Sequence, residues 1–182
     1  MNAPQHNLYT LFHQAFGHAL DQVAIETDEG QTWTFGDLHA QSARMANWLE
    51  AQGLKPGDRA MVQVEKSVPA LVFYLACLRA GVVYVPLNTA YQSAELNHFI
   101  ENAEPRVFVA DPAKLEGLSE MATRLGVATV VSLGADGGGS LIDAVQTQPT
   151  EHAVRTVQAG DLAAILYTSG TTGRSKGAQL TH

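Results

Sequence analysis

Apolar residues recur at helical spacing at Leu8, Leu11, Phe12, Ala15 and Phe16, which predicts an opening helix. VAIET and TWTF, separated by the polar tip DEGQ, then read as a hairpin. Thr34 stands three residues before Asp37, an approximate capping box for a helix through Leu38, Met45, Trp48 and Leu49 that stops at Gly53. From Asp58 the period changes. DRAMVQV predicts a strand, and Ser67 caps a helix with Val68, Leu71, Val72, Leu75 and Leu78 along one face, ended by Gly81. VVYVP is the next strand. A helix from Ser93 through Leu96, Phe99 and Ile100, the strand RVFVA, the helical KLEGLSEMATRL and the strand-like GVATVV follow in turn.

Strands alternating with helical segments are the pattern of crossover units, so the fold class is α/β, a mostly parallel sheet flanked by helices. GADGGGS at 134–140 carries four glycines and no large side chain. It and the polar stretch from Gln146 are expected as surface loops. DLAAILY, Asp161 to Tyr167, is short and almost wholly apolar, as a strand buried on both faces should be.

That strand runs straight into YTSGTTGRSKG. Thr168, Ser169, Thr171 and Thr172 supply hydroxyls, Gly170, Gly173 and Gly177 let backbone N–H groups approach one point, and Lys176 adds a positive charge. The group best served by such a set is a polyphosphate. Its place agrees, because ligands of open α/β sheets bind beyond the carboxyl ends of the strands. The bland alternative is a solvated Gly/Ser/Thr linker, which has no need of a lysine and seldom follows a buried strand. A Walker A loop needs glycine before its lysine and a hydroxyl after it, whereas Ser175 precedes Lys176 and Gly177 follows it; a G-x-G-x-x-G fingerprint is also absent.

Net charge is −7 over 182 residues, with no run of five like charges, so nucleic acid is not an expected partner and an anion must be held locally. The longest uninterrupted apolar run, Leu71 to Leu78, is far shorter than a membrane helix, and the amino terminus lacks a signal-peptide pattern. A cytoplasmic protein without membrane contact is expected. Cys77, the single cysteine, reads as a small core side chain. The seven histidines show no metal-ligand spacing and read as solvated surface positions. Glu65 and Lys66 read as a local ion pair of little worth, and Asp111 before Pro112 as a turn at a strand exit.

The loop resembles, nearly residue for residue, the phosphate-binding signature of the adenylate-forming superfamily, which includes acyl-CoA synthetases, peptide-synthetase adenylation domains and luciferases. Tyr167, Thr168, Ser169, Gly170, Thr171, Thr172, Gly173, Lys176 and Gly177 match it, and Ser175 replaces the usual proline. LRAGVVYVPLN, Leu78 to Asn88, is similar to an earlier motif of the same superfamily, and the resemblance spans almost the whole chain. Within it, EKSVPALVFYLACLRAGVVYVPLNTAY and ILYTSGTTGRSKGA resemble the malonyl-CoA synthetase branch, which activates malonate and sometimes methylmalonate.

The resemblance implies an ATP-dependent acid–thiol ligase with ATP, Mg2+ and coenzyme A as co-substrates and a small carboxylic acid as substrate. Thr168, Ser169, Gly170, Thr171, Thr172, Gly173 and Lys176 would hold ATP phosphates. The metal ligands, the adenine and ribose contacts, the acid pocket and the lysine acting on the carboxylate belong to later parts of such enzymes. Residues 1–182 are therefore expected to be an amino-terminal portion of the large domain, inactive alone, with no catalytic residue and no metal ligand of their own. Two alternatives stand beside this: a non-catalytic nucleotide-binding module complete at His182, and a peptide-synthetase-type adenylation domain that works with a carrier protein.

Overall fold

The computed structural model describes residues 6–168 and 175–182. Helix α1 (Leu8–Phe16) is capped by Asn7, whose side chain accepts from the Tyr9 N–H, and leads to a small antiparallel hairpin of β1 (Val23–Glu26) and β2 (Thr32–Thr34). The expected capping box opens α2 (Phe35–Ala51): Thr34 Oγ1 accepts from the Asp37 N–H at 3.0 Å, and Asp37 Oδ2 accepts from the Thr34 N–H at 2.8 Å. Two crossover units follow, β3 (Arg59–Gln63), α3 (Val68–Ala80), β4 (Val83–Pro86), α4 (Ser93–Ala103) and β5 (Val107–Ala110). Asp111 caps the single 3-10 turn Pro112–Lys114 by accepting from the Ala113 N–H, as its place before proline predicts. The chain continues as α5 (Leu115–Arg124), β6 (Thr129–Ser132), α6 (Ser140–Val145), β7 (Leu162–Thr168) and β8 (Lys176–Thr181).

The main sheet has the order β6-β5-β3-β4-β7-β8, and all neighbours are parallel except β7 and β8. Two apolar cores sandwich it. Tyr9, Trp48, Leu49, Phe73 and Leu78 fill one, beneath α1, α2 and α3, while Phe99, Ile100, Phe108 and Met121 fill the other, beneath α4 and α5. The chain moves to one side of β3 after the first crossover and to the other side after the second. The order therefore reverses between β3 and β5, and a crevice opens beside that point, beyond the carboxyl ends of β3 and β4.

Several expectations need correction. Helix α3 is not buried along one face: Phe73, Ala76, Cys77 and Leu78 are fully buried, because the helix is wedged between α2, α1 and the sheet, and Leu71 is the side chain left 42% exposed. Strand β7 is buried on both faces only at Ala163 and Ala164, and Leu166 beyond them is exposed where nothing covers the sheet. The glycine loop is a specific turn. Ser132 and Ser140 exchange hydrogen bonds at 3.0 Å in both directions, Gly139 has φ 119° with Ser132 O where a Cβ would stand, and α6, which the sequence pattern did not predict, starts there.

Cys77 is fully buried and burial pushes its thiol up, as a core side chain requires. The polar stretch from Gln146 is fastened to the helices along its length. Arg44 Nη1 donates to Gln146 O and Gln148 O, Asn47 Nδ2 to Pro149 O and Glu151 O, and Glu50 accepts from Arg155 Nε at 2.5 Å and pairs with His152 Nε2 at 2.9 Å. Arg79, only 3% exposed, donates to His152 O from Nε and Nη2, and to Tyr9 Oη, His39 O and Ser42 Oγ from Nη1. This strap leads from α6 into β7, so its anchors position the strand that carries the signature loop. Glu65 and Lys66 form no ion pair with each other and instead line the crevice.

The histidines are not all solvated. His39 stacks on His13 with ring centroids 4.6 Å apart, and its Nδ1 lies 3.0 Å from Tyr9 Oη. Burial first, then the charges of Arg79 and His13, hold His39 at about 4. Because that lies below the ordinary 6.5, the unfolded chain binds the proton more tightly, and stability is lost as pH falls from 6.5 through about 4. His152, also lowered by burial, adds to the same slope. In urea unfolding measured across this window, His39→Gln is expected to flatten the fall in stability; an unchanged slope would show that His39 does not drive it.

Candidate functional site

The crevice beyond the carboxyl ends of β3 and β4 has a volume of about 660 Å3. Val62 of β3 and Val64 just beyond it, Tyr84 and Pro86 from β4, and Ala70, Leu71 and Tyr74 from α3 make its apolar walls, with Ala164, Leu166 and Leu180 of β7 and β8 completing them. Lys66, Ser67, Asn88 and Thr89 supply polar groups at its rim. The rim loop 88–91 is itself fixed: buried Gln63 donates from Nε2 to Asn88 O at 2.9 Å and Tyr91 O at 3.0 Å, and Lys114 Nζ donates to Thr89 O. A crevice with apolar walls and a few convergent polar groups is the usual form of a small-molecule site.

Of the residues expected to bind phosphate, Thr168 and Lys176 are described, and Ser169, Gly170, Thr171, Thr172 and Gly173 lie outside the described residues. Thr168 ends β7 and Lys176 begins β8, directly opposite each other in the ladder, with Thr168 Oγ1 within 3.5 Å of Lys176 O. Register decides where the lysine faces. Ala164 pairs with Leu180, Leu166 with Ala178 and Thr168 with Lys176, and since alternate residues share a face, the lysine lies on the face that Ala164, Leu166 and Leu180 present to the crevice. Both Thr168 and Lys176 are exposed, so a hydroxyl and a primary ammonium are accessible at one edge of the crevice, beyond the carboxyl ends of β4 and β7.

The intervening pairs face α4. Tyr167 stands opposite Gly177, its ring packs on Phe99 with centroids 4.5 Å apart, and its hydroxyl donates to Asn102 Oδ1 at 2.5 Å. A Cβ at Gly177 would stand 2.8 Å from Ile165 Cγ2 and 3.4 Å from Tyr167 Cε1. Gly177 was expected to turn an amide toward an anion, but in the fold it clears space for its neighbours on β7. Sequence reasoning also missed β8 and the Tyr167 anchor. Ala178 and Leu180 alternate with polar residues, the one signal for a strand, over a span too short to be read alone.

A triphosphate fits this edge in charge and donor chemistry, because Lys176 supplies a cation and Thr168 a hydroxyl on the crevice face, although the chain is acidic overall. Among the described residues no group of three or more His, Cys, Asp or Glu side chains converges to hold a metal ion, and no helix is long and apolar enough to cross a membrane.

Comparison with known proteins identifies the family. The crystal structure of ATP-bound MatB from Rhodopseudomonas palustris superposes with a TM-score of 0.92 at 49% identity, covering 98% of this chain and 35% of that one. The medium-chain fatty-acid–CoA ligase of Escherichia coli (strain K12) is 32% identical over 174 residues, 89% of this chain and 30% of the ligase. A linear gramicidin synthase protein of Brevibacillus parabrevis is 32% identical over 162 residues, 89% of this chain and 3% of that protein. The chain thus spans about a third of the ligase and of MatB. Residues 11–182 match the family described as AMP-binding enzyme, strands β7 and β8 and the crevice included, and the chain belongs to that family.

Proposed function

We propose that the chain is the amino-terminal part of an ATP-dependent carboxylate–CoA ligase whose acid is malonate, with methylmalonate as a further substrate, and that Lys176 and Thr168 hold the phosphates of ATP. The observation that carries this reading is the register that sets Lys176 opposite Thr168 on the crevice face. In the reaction an oxygen of the carboxylate bonds to the α-phosphorus of ATP and the bond to pyrophosphate breaks. Coenzyme A's thiolate then bonds to the acyl carbon and AMP leaves.

The work this chain can do is electrostatic. Pyrophosphate departs with increased negative charge, and a fixed ammonium beside it stabilises that charge most where water is excluded. The apolar crevice walls provide such surroundings on one side. Mg2+ would neutralise further charge, with ligands contributed from beyond these residues. Malonate is supported by the likeness of residues 65–91 and 165–178 to malonyl-CoA synthetases, and ATP by the likeness to ATP-bound MatB. A second reading, a peptide-synthetase adenylation domain, draws on the 32% identity to the gramicidin synthase protein.

The test is ATP–pyrophosphate exchange by the 182-residue chain and by its natural extension toward the carboxyl terminus, with malonate, methylmalonate, acetate, a long-chain acid and a panel of amino acids. Exchange by the extended protein with malonate, followed by thioester formation with free coenzyme A, is the expected result. Exchange with another acid alone would remove malonate and keep the class. Exchange with an amino acid and no use of free coenzyme A would favour the peptide-synthetase reading, and binding of ATP with no exchange at all would leave a non-catalytic module.

A further inference from the structure

We infer that Asn102 and Phe99 of α4 are positioning residues for ATP binding, acting through the Tyr167 ring to fix the register of β8 and hence the place of Lys176. This rests on the reading of Lys176 and Thr168 as phosphate ligands.

Strand β8 needs such a device. Among the described residues it lies at the edge of the sheet, pairs with β7 alone and is exposed along its whole length, so burial within them does little to choose its register. A slip of one residue would turn Lys176 from the crevice face to the α4 face. What opposes the slip is the fit around Gly177. With Tyr167 and Ile165 in place, a Cβ on the residue opposite Tyr167 would come within 2.8 Å of Ile165 Cγ2. One step in either direction brings Lys176 or Ala178 there, each with a Cβ, so glycine is the residue of β8 that fits.

The Tyr167 ring adds a second wall, 3.4 Å from that Cβ, for as long as it is held down. Phe99, 1% exposed, packs against it at 4.5 Å with the planes at 44°, and Tyr91 backs Phe99 at 4.9 Å. Asn102 Oδ1 accepts the Tyr167 hydroxyl at 2.5 Å and stops the ring from swinging off the hairpin. Helix α4 thus sets the register of a strand it touches through a single ring. Asn102 itself is exposed and lies on a different element from Thr168 and Lys176, so it acts through Tyr167 and not by contact with ATP.

The experiment compares Asn102→Leu, Asn102→Asp, Tyr167→Phe and the double variant N102L/Y167F with the unaltered chain, by equilibrium dialysis with ATP and by melting temperature. In the extended enzyme, KM for ATP and KM for the acid are measured as well. Asn102→Leu and Tyr167→Phe are each expected to weaken ATP binding about fivefold, the size of one lost hydrogen bond, and the double variant to be no worse than either. Asn102→Asp, which keeps an acceptor, should return binding to within about twofold of the unaltered chain. KM for ATP should rise while KM for the acid stays constant. A lower melting temperature with unchanged ATP affinity would make the pair merely structural and overturn the proposal, as would additive losses. If Asn102→Leu does not fold, Tyr167→Phe, which keeps the ring and drops one hydroxyl, decides alone. Failure of the unaltered extended enzyme to use ATP would overturn the functional reading as well, whereas ATP use unaffected by the variants overturns the positioning role only.

Discussion

Arg79→Met is expected to destabilise the chain by about 3–5 kcal/mol in equilibrium urea unfolding. Arg79 is 3% exposed, yet its hydrogen-bond partners are all neutral: Tyr9 Oη, Ser42 Oγ, His39 O, and His152 O twice. Its guanidinium also lies 4.9 Å from the centre of the Tyr9 ring. Methionine fills much of the volume but donates nothing, so buried oxygens from α1, α2 and the strap lose a partner together, at roughly 1–3 kcal/mol each before relaxation and water entry reduce the total. Arg79→Lys should recover only part of the loss, because one ammonium cannot span both His152 O and Tyr9 Oη in the planar fork that arginine supplies. Hydrogen exchange should quicken most at residues 146–158, the strap that loses two of its bonds to Arg79. A loss under about 1 kcal/mol would show that the polar cluster is dispensable and that apolar packing alone holds α1 and the strap.

Arg79 illustrates what the sequence conceals. The LRAG context identifies its place at a helix end before a glycine turn, and Gly81 does stand there at φ 68°. Nothing in local spacing tells that three separate segments converge on the guanidinium, from Tyr9 to His152, because their separations along the chain carry no period. The same limit hid the strap, whose polar composition matches that of a free loop; its order comes from Arg44, Asn47, Glu50 and Arg79 on helices a hundred or so residues earlier in number. Short-range signals fared better. The Thr34–Asp37 box, the Ser67 cap, the Gly81 stop and the Asp111 turn all form as expected, since each is settled within a few residues. Strand β7 lies where its apolar run predicts but is less buried than that run implies, because apolar composition cannot distinguish a covered face from one that lines a crevice.

The chemistry proposed for the loop rests on its composition, because glycine, hydroxyl and lysine in that density have few other uses. The face on which Lys176 lies was not legible, since it depends on pairing across the hairpin. That pairing underlies the second large effect expected. Lys176→Ala should lower ATP–pyrophosphate exchange by the extended enzyme about 100-fold while leaving the melting temperature nearly unchanged, because the side chain is exposed at the start of an edge strand and its removal uncovers no core. The size follows from the setting. With a net charge of −7 the chain as a whole repels a polyanion, so the local ammonium must overcome that background as well as balance the charge that develops on departing pyrophosphate. Raising ionic strength screens both, and the ratio between the unaltered enzyme and Lys176→Ala should therefore shrink with added salt. Lys176→Arg keeps the charge but replaces a compact ammonium with a broad planar fork, and should fall between the two. Exchange within about threefold of the unaltered enzyme in Lys176→Ala would mean that backbone amides and hydroxyls of the loop hold the phosphates unaided, and that the lysine on the crevice face has another task.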